Sequence, residues 1–130
     1  MTEKQIQNAI LRAYGADPRL RLWRANAGVG FYRKGTAVRF GVPGQADLTG
    51  ILPNGQRLEV EVKTVTGRQS KDQHNYQRMI EAFGGVYILA RSVEDVAAVI
   101  EPILADAGYP ATDAKSINLA VEAPRYASNK

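Results

Sequence analysis

The chain has 130 residues, with 17 basic and 13 acidic side chains, one histidine and no cysteine, and its formal net charge is +4. This is the length of one domain that buries a core without covalent staples. The lack of cysteine excludes disulfides and thiolate chemistry, and one histidine argues against structural zinc. No apolar run is long enough for a membrane span, and the polar N-terminal stretch is unlike a signal peptide, so we expect a soluble intracellular protein without a membrane partner.

Charge is unevenly distributed along the chain. Residues 1–40 carry eight Lys or Arg side chains against two acids, whereas residues 81–130 carry four against seven. A basic first third beside an acidic last third indicates that a polyanion binds the first part. Ordinary surface charge is the alternative, since a total of +4 is compatible with it.

The first predicted element is a helix. Thr2-Glu3-Lys4-Gln5 has the pattern of a capping box, and Gly15 followed by Pro18 marks the helix end. The spacing predicts a buried stripe of Ile6, Ile10, Leu11 and Tyr14. Glu3 lies toward the same side of the helix. Its simpler interpretation is a first-turn acid favoured by the helix dipole.

A short strand and a glycine-rich stretch follow. Leu20–Arg24 alternates and predicts the first strand, and residues 25–39 then mix glycine and aromatic residues with basic ones. Glycine lets the backbone approach a phosphate, and aromatic and basic side chains suit base stacking and backbone contacts. We therefore predict DNA contacts here, with a plain hairpin connection as the alternative. The residues concerned are Arg24, Arg33, Lys34 and Arg39.

Two strand-like runs flank Pro53-Asn54-Gly55, a strong hairpin signal. In the second run one side carries Leu58, Val60 and Val62, and the other carries Glu59, Glu61 and Lys63. Hairpin pairing brings Asp47, at the start of the first run, level with Glu61. Two carboxylates and an ammonium at one end of a hairpin predict a site for a divalent metal ion and an activated water.

Each part of this arrangement has a simpler interpretation. Asp47 alone could be a turn residue after Pro43-Gly44. Glu61 and Lys63 alone could be an i, i+2 pair on a solvent-facing strand, worth under about 1 kcal/mol. The joint arrangement favours the site.

The second half of the chain predicts two more helices and a strand. Ser70–Gln73 is a second capping box, which gives Gln73 a structural role, and it opens a helix with Tyr76, Met79, Ile80 and Phe83 inward. Arg68 and Lys71 beside it are further predicted DNA contacts, with a solvated surface as the alternative. Val86–Ala90 predicts a strand covered on both faces. The last helix, capped by Ser92 and ended by Gly108, uses Val96, Val99, Ile100, Ile103 and Leu104, and Pro102 should kink or split it.

These elements follow the order αβββαβα, which predicts an α/β fold with a mixed sheet. The hairpin supplies antiparallel pairing, and the strand-helix-strand unit supplies a parallel neighbour, with helices on both faces. We expect one domain over residues 1–108. Residues 109–130 would form an extension that is partly irregular or contributes to a dimer interface.

The motif residues resemble a known family. Asp47 followed by Glu61-Val62-Lys63 resembles the D…ExK signature of the PD-(D/E)XK nucleases. The ordered set from Gly41-Val42-Pro43 through these residues to Gly67…Ser70…Gln73 resembles its VRR-NUC branch, over roughly the first hundred residues. Pro43 is separated from Asp47 by three residues, so the literal Pro-Asp pair of the signature is absent.

The resemblance implies a restriction-endonuclease-like core and a metal-dependent endodeoxyribonuclease that leaves a 5′-phosphate and a 3′-hydroxyl. Mg²⁺, with Mn²⁺ as a substitute, would be held by Asp47, Glu61 and the Val62 carbonyl, and Glu3 would hold a water or a second ion. Lys63 would orient the attacking water and stabilise developing charge. The resemblance also places Gln73 near the metal.

The expected substrate follows from size and resemblance together. A nuclease without a separate recognition domain favours structure-selective cleavage, and the stand-alone members of the family, which are phage or bacterial proteins, point to branched DNA such as Holliday junctions. The two-fold symmetry of that substrate suits a homodimer, located in the cytoplasm of a bacterium or a phage-infected cell. The alternatives are a sequence-nonspecific or restriction-type nuclease, a DNA-binding module with a degenerate metal site, and a structural or regulatory protein.

Overall fold

The computed structural model describes the backbone of residues 1–25, 28–31 and 37–110, and the side chains of residues 1–25 and 41–110. The elements are α1 (Glu3–Tyr14), β1 (Arg21–Arg24), β2 (Gly28–Phe31), β3 (Ala37–Phe40), β4 (Leu48–Ile51), β5 (Arg57–Val62), α2 (Lys71–Ala82), β6 (Val86–Ala90) and α3 (Val93–Asp106). No helix in these ranges has the length and apolar content that crossing a membrane requires.

The fold is α/β, with a four-stranded mixed sheet in the order β1-β4-β5-β6. β4 pairs antiparallel with β1 and with β5, and β6 pairs parallel with β5. The predicted hairpin is present, with Gly55 at φ 92° in its turn. These directions bring the ends of β1, β5 and β6 and the start of β4 to one end of the sheet, which we call the carboxyl edge.

β2 and β3, which lie between β1 and β4 in the chain, form a separate two-stranded sheet. β2 and β3 pair antiparallel, from Gly28 opposite Phe40 to Phe31 opposite Ala37. The elements therefore follow the predicted order αβββαβα, with two additional strands, β2 and β3, between the first and second predicted strands. The sequence does not predict these two strands, because two glycines in a four-residue strand obscure the alternating pattern.

Helices cover both faces of the sheet, as predicted. The predicted stripe of α1 is buried together with Val96, Ile100 and Leu104 of α3 and with the apolar side of β5. On the opposite face, Tyr76 and Ile80 of α2 form a smaller cluster with Ala46 and Tyr87.

The prediction that Met79 and Phe83 are buried in the core is wrong. Met79 is 40% exposed and Phe83 is 87% exposed. The buried side of α2 is only Tyr76 and Ile80, one helical turn apart, and Met79 lies at the margin of that narrow stripe. Phe83 comes after the last helical residue, where the chain reverses at Gly84 with φ 86°. A side chain there no longer follows the helical period. Val99 of α3 is likewise exposed rather than inward.

Pro102 does not split the last helix, contrary to the prediction. α3 is a single helix from Val93 to Asp106 with Pro102 inside it. Pro102 is exposed, and the buried residues Ile100 and Leu104 on either side of it belong to the main core. Packing of these neighbours offsets the loss of one backbone hydrogen bond. Of the predicted extension, residues 111–130 lie outside the described part of the chain.

Candidate functional site

Asp47 is held between two strands at the carboxyl edge. Leu48 lies opposite Val60 in the β4–β5 pair, so Asp47 is level with Glu61, as predicted. The Asp47 carboxylate accepts a hydrogen bond from the Val62 backbone N–H at 2.8 Å through Oδ2. The backbone carbonyl of Asp47 accepts a hydrogen bond from the Ala25 N–H at 2.9 Å. The side chain thus takes the place of a backbone acceptor in the ladder, which fixes its orientation.

The three residues that separate Pro43 from Asp47 form a turn packed on α2. Gln45 N–H donates to the Val42 carbonyl at 2.9 Å, which closes the turn. Gly44 has φ 76°, and a Cβ there would lie 2.1 Å from the Asp72 carbonyl oxygen. Only glycine allows this approach. The departure from the Pro-Asp signature therefore leaves Asp47 firmly positioned.

Glu61 is the most buried acid of the set. Only 2% of Glu61 is exposed to solvent. Its Oε2 accepts a hydrogen bond from Gln73 Nε2 at 2.9 Å, and Lys63 Nζ lies 3.4 Å from the same oxygen. Oε1 is buried and has no hydrogen-bond partner among the described residues. The solvent-facing alternative for this strand face is wrong, because α2 covers it. A buried carboxylate oxygen without a donor is costly, and it marks a place where a cation would bind favourably.

Glu59 shows what a structural acid on the same face looks like. It is fully buried, and its carboxylate accepts from Tyr76 Oη at 2.7 Å, from Arg57 Nε at 2.8 Å and from the Thr49 hydroxyl. Both of its oxygens are therefore satisfied. Glu61, two residues further along the strand, has one oxygen without a hydrogen-bond partner among the described residues.

The electrostatics of the acidic pair follow from this burial. Burial, and next the charge of Asp47, raise the pKa of Glu61 to about 7, although Lys63 acts in the opposite direction. Burial also raises the pKa of Asp47, against the hydrogen bond from Val62 N–H, which lowers it. Both acids are therefore easier to protonate than free carboxyl groups, and a nearby cation would favour their charged forms.

Lys63 lies beside the pair with a constrained side chain. Its backbone N–H donates to the Ala90 carbonyl at 3.0 Å, which continues the parallel β5–β6 pairing. A Cβ on Gly67 would lie 3.3 Å from Lys63 Cβ and 3.4 Å from Cδ, so the loop after β5 packs on the lysine stem. The side chain is 13% exposed. Packing of the stem keeps the ammonium next to Glu61.

The two remaining predicted site residues are close to the acidic pair in different ways. Gln73 caps α2 as predicted, because its Oε1 accepts from the Ser70 N–H at 2.9 Å, and its Nε2 donates to Glu61 Oε2 at 2.9 Å. Glu3 is exposed in the first turn of α1, and its negative charge contributes to raising the pKa of both Asp47 and Glu61. Glu3 lies one helical turn before Gln7, which contacts Arg24 at the carboxyl edge.

The predicted DNA contacts are distributed around this edge where the structure describes them. Arg68 and Lys71 are exposed, in the loop after β5 and at the start of α2. Arg24 is partly exposed, and its guanidinium donates to Gln7 and Asn8 of α1. Arg33 and Lys34 lie outside the described residues, and so does the side chain of Arg39.

Sequence reasoning missed three residues at this edge. Gln7 and Asn8 contact Arg24, and Arg91, directly after β6, contacts the loop after β5. A signal existed for two of them. Gln7 is four residues after Glu3 and so shares its helix face, and Arg91 follows a strand predicted to run parallel to β5, which places both strand ends together.

The donor set fits a magnesium ion. No group of three or more His, Cys, Asp or Glu side chains suitable for a metal occurs in the part of the chain that the structure describes. Mg²⁺ is commonly held by only one or two carboxylates and keeps several waters. Asp47 and Glu61 supply that number. A bound cation would favour the charged form of both acids, whose pKa values are raised, and would give Glu61 Oε1 the partner that it lacks among the described residues.

Compared with models of protein families and with curated proteins, the chain matches none.

Proposed function

We propose that this protein is a Mg²⁺-dependent endodeoxyribonuclease with a PD-(D/E)XK core of the VRR-NUC type. The observation that carries the proposal is the environment of Glu61. Among the described residues, one oxygen of this buried carboxylate has no hydrogen-bond partner, and Glu61 is level with Asp47 and lies beside Lys63. Buried charges that serve stability alone are satisfied by donors, as Glu59 is.

Asp47, Glu61 and the Val62 carbonyl would hold the ion, with Glu3 as the residue that holds a water or a second ion. Bound Mg²⁺, or Mn²⁺ in its place, supplies charge neutralisation at the phosphate and a nucleophile from water near neutral pH. The protein's own contribution is positioning. The Val62 N–H orients Asp47, and Gln73 orients Glu61 through a helix-capping side chain that is itself fixed.

Lys63 provides the positive charge on the protein side. Its ammonium lies 3.4 Å from Glu61 Oε2 and has hydrogen-bond donors to spare for a phosphate oxygen and the attacking water. A fixed cation stabilises charge that develops on the phosphoryl oxygens without reorganisation during the reaction. The expected products are a 5′-phosphate and a 3′-hydroxyl.

For the substrate, we propose branched DNA such as a Holliday junction, cut by a homodimer in the cytoplasm of a bacterium or a phage-infected cell. The support is the size of the domain, which leaves little surface for reading base sequence, and the basic first third of the chain. The two-fold symmetry of a four-way junction matches paired cuts by two copies.

The test is cleavage of end-labelled four-way junction, 5′-flap and linear duplex DNA in Mg²⁺ or Mn²⁺. We expect paired symmetric cuts on the junction, and losses of about 100-fold or more in Asp47→Asn and Lys63→Ala. Asp106→Asn is the matched control, because Asp106 is exposed at the far end of α3. It should cut like the wild type, and circular dichroism should show all three variants folded.

The main alternative is a DNA-binding module with a degenerate metal site. The specific observation in its favour is the lack of a third acidic or histidine ligand in the same cluster among the described residues. Binding of junction DNA without cutting in either metal ion would establish this alternative. Discrete fragments from plain duplex would instead indicate a restriction-type enzyme, and ragged cutting of every substrate a nonspecific one.

A further inference from the structure

Two arginines stand at opposite ends of the carboxyl edge, with the acidic pair between them. Arg24 is the last residue of β1, and Arg91 follows the last residue of β6. β1 and β6 are the outer strands of the sheet, so three strand spacings, or about 14 Å, separate the two ends. Asp47 and Glu61 lie on the two strands between.

Arg24 is fixed by neutral side chains of α1. Its Nη1 donates to Gln7 Oε1 at 2.6 Å, and its Nη2 donates to Asn8 Oδ1. Both acceptors are amide oxygens, so the guanidinium has a defined orientation and keeps its full positive charge. The side chain remains partly exposed.

Arg91 is fixed by neutral backbone groups. Its Nη1 donates to the Gly67 carbonyl at 2.9 Å and to the Thr64 carbonyl, within the loop that follows β5. Its backbone N–H donates to Asp95 Oδ2 at 2.8 Å, a contact that does not involve the guanidinium. The side chain is partly exposed, and the loop that it holds is the one packed on Lys63.

Other arginines away from this edge are paired differently. Arg19 forms ion pairs with Asp17 at 2.8 Å and with Glu101 at 2.9 Å, and Arg57 pairs with Glu59 at 2.8 Å. Within the described residues, Arg24 and Arg91 form no ion pair with a carboxylate. Carboxylates thus offset the charges of Arg19 and Arg57, whereas the described contacts of the Arg24 and Arg91 guanidinium groups are all to neutral oxygens.

We propose that Arg24 and Arg91 are two fixed phosphate-binding positions, one on each side of the acidic pair, which hold a DNA backbone across the carboxyl edge. The guanidinium fork matches the geometry of a phosphate, and neutral acceptors that orient it beforehand reduce the entropy lost on binding. The assignment of DNA as the ligand rests on the proposed function.

The first test measures binding rather than cleavage. The dissociation constant of an end-labelled duplex of about 20 base pairs is measured in EDTA at several salt concentrations between about 50 and 200 mM. Arg24→Gln and Arg91→Gln should each raise the dissociation constant about five- to twentyfold and reduce the salt slope by about one. Arg12→Gln, an exposed position in the last turn of α1, is the control for loss of one charge.

A second variant separates phosphate binding from a structural role. Asn8→Asp keeps the shape and the contact to Arg24 but replaces a neutral acceptor by a carboxylate. It should weaken DNA binding as much as Arg24→Gln while the thermal midpoint stays the same or rises, because a new ion pair forms. Arg91→Lys should retain the wild-type salt slope, since it keeps the charge.

The outcomes separate this inference from the proposed function. DNA affinity in Asn8→Asp equal to that of the wild type, or a loss in Arg24→Gln and Arg91→Gln no greater than in Arg12→Gln, overturns the two phosphate positions. An effect at only one arginine also overturns the two-point arrangement. Cleavage of junction DNA in Mg²⁺ is scored separately, so an enzyme without these positions and a DNA-binding protein without cleavage give different results.

Discussion

At the scale of single residues, Glu59 and Glu61 show how the same residue type on the same strand face serves two purposes. Glu59 is surrounded by three donors, whereas Glu61 has an oxygen with none among the described residues. The spacing of two residues gives both the same direction, so the difference lies in what packs above them. The unsatisfied acid is the one that faces Asp47 and Lys63.

The raised pKa of Glu61 predicts a pH-dependent stability. Because the pKa is about 7 in the folded chain and 4.5 ordinarily, the folded state binds the proton more tightly. Its stabilising contribution is present below about pH 4.5 and is lost as the pH rises through about 7, by about 3 kcal/mol. In EDTA, Glu61→Gln should therefore be more stable than the wild type above about pH 8.

Urea unfolding at a series of pH values measures this difference. The two proteins should approach each other in free energy of unfolding near pH 4.5, and Asp106→Asn should follow the wild-type curve throughout. A constant offset between Glu61→Gln and the wild type over the whole range would contradict a raised pKa at this position.

At the scale of elements, the turn before Asp47 and the first turn of α2 act as one unit. The turn packs its glycine on the Asp72 carbonyl, Ala46 packs with Tyr76, and Gln73 of the same helix contacts Glu61. α2 therefore determines the position of both acids, although neither acid belongs to it. The capping box that begins α2 fixes where this helix starts.

This packing predicts a large difference between two glycine substitutions. Gly44→Ala combines a positive φ with a Cβ 2.1 Å from a backbone oxygen, whereas Gly55→Ala has a positive φ and no heavy atom within 4 Å of its Cβ. We expect losses in the free energy of unfolding of about 2–5 kcal/mol and about 1–2 kcal/mol, respectively. Urea unfolding measures both, and equal losses would show that the turn does not pack on α2.

At the scale of the whole molecule, the sheet topology collects the charged groups at one edge. Residues from six segments meet there, at the ends of β1, β5 and β6, at the start of β4, and on α1 and α2. The acidic pair lies between the two arginines at the ends of this edge, which form no ion pair with a carboxylate among the described residues. A divalent ion would complement the acids, and a polyanionic backbone would complement the arginines. Stability of the whole domain should therefore respond to the ion.

Magnesium is expected to stabilise the folded chain. An ion that binds only the folded state raises the free energy of unfolding by about 2.7 kcal/mol at a hundredfold excess over its dissociation constant. Thermal unfolding in MgCl₂, compared with KCl at equal ionic strength, should show an increase in midpoint that is lost in Asp47→Asn and Glu61→Gln. The same increase in both variants would contradict a site at these acids.

Much of the fold could be predicted because its signals are local. Both capping boxes, the Pro53-Asn54-Gly55 turn and the alternation of β5 depend on residues within a few positions of one another. The position of Asp47 level with Glu61 follows from the register of a single hairpin. Hydrogen bonds and periodicities of this range are encoded in the order of residues itself.

The three helices, four of the six described strands, the mixed sheet and the acids with their lysine at one end of it could be predicted from the order of residues alone. Tertiary packing was needed to show that the polar face of β5 is buried, that Phe83 is exposed, and that Arg24 and Arg91 are held by neutral oxygens. The physical reason is that burial and side-chain partners come from segments far apart in the chain. A local pattern specifies the direction of a side chain, and packing specifies what it meets there.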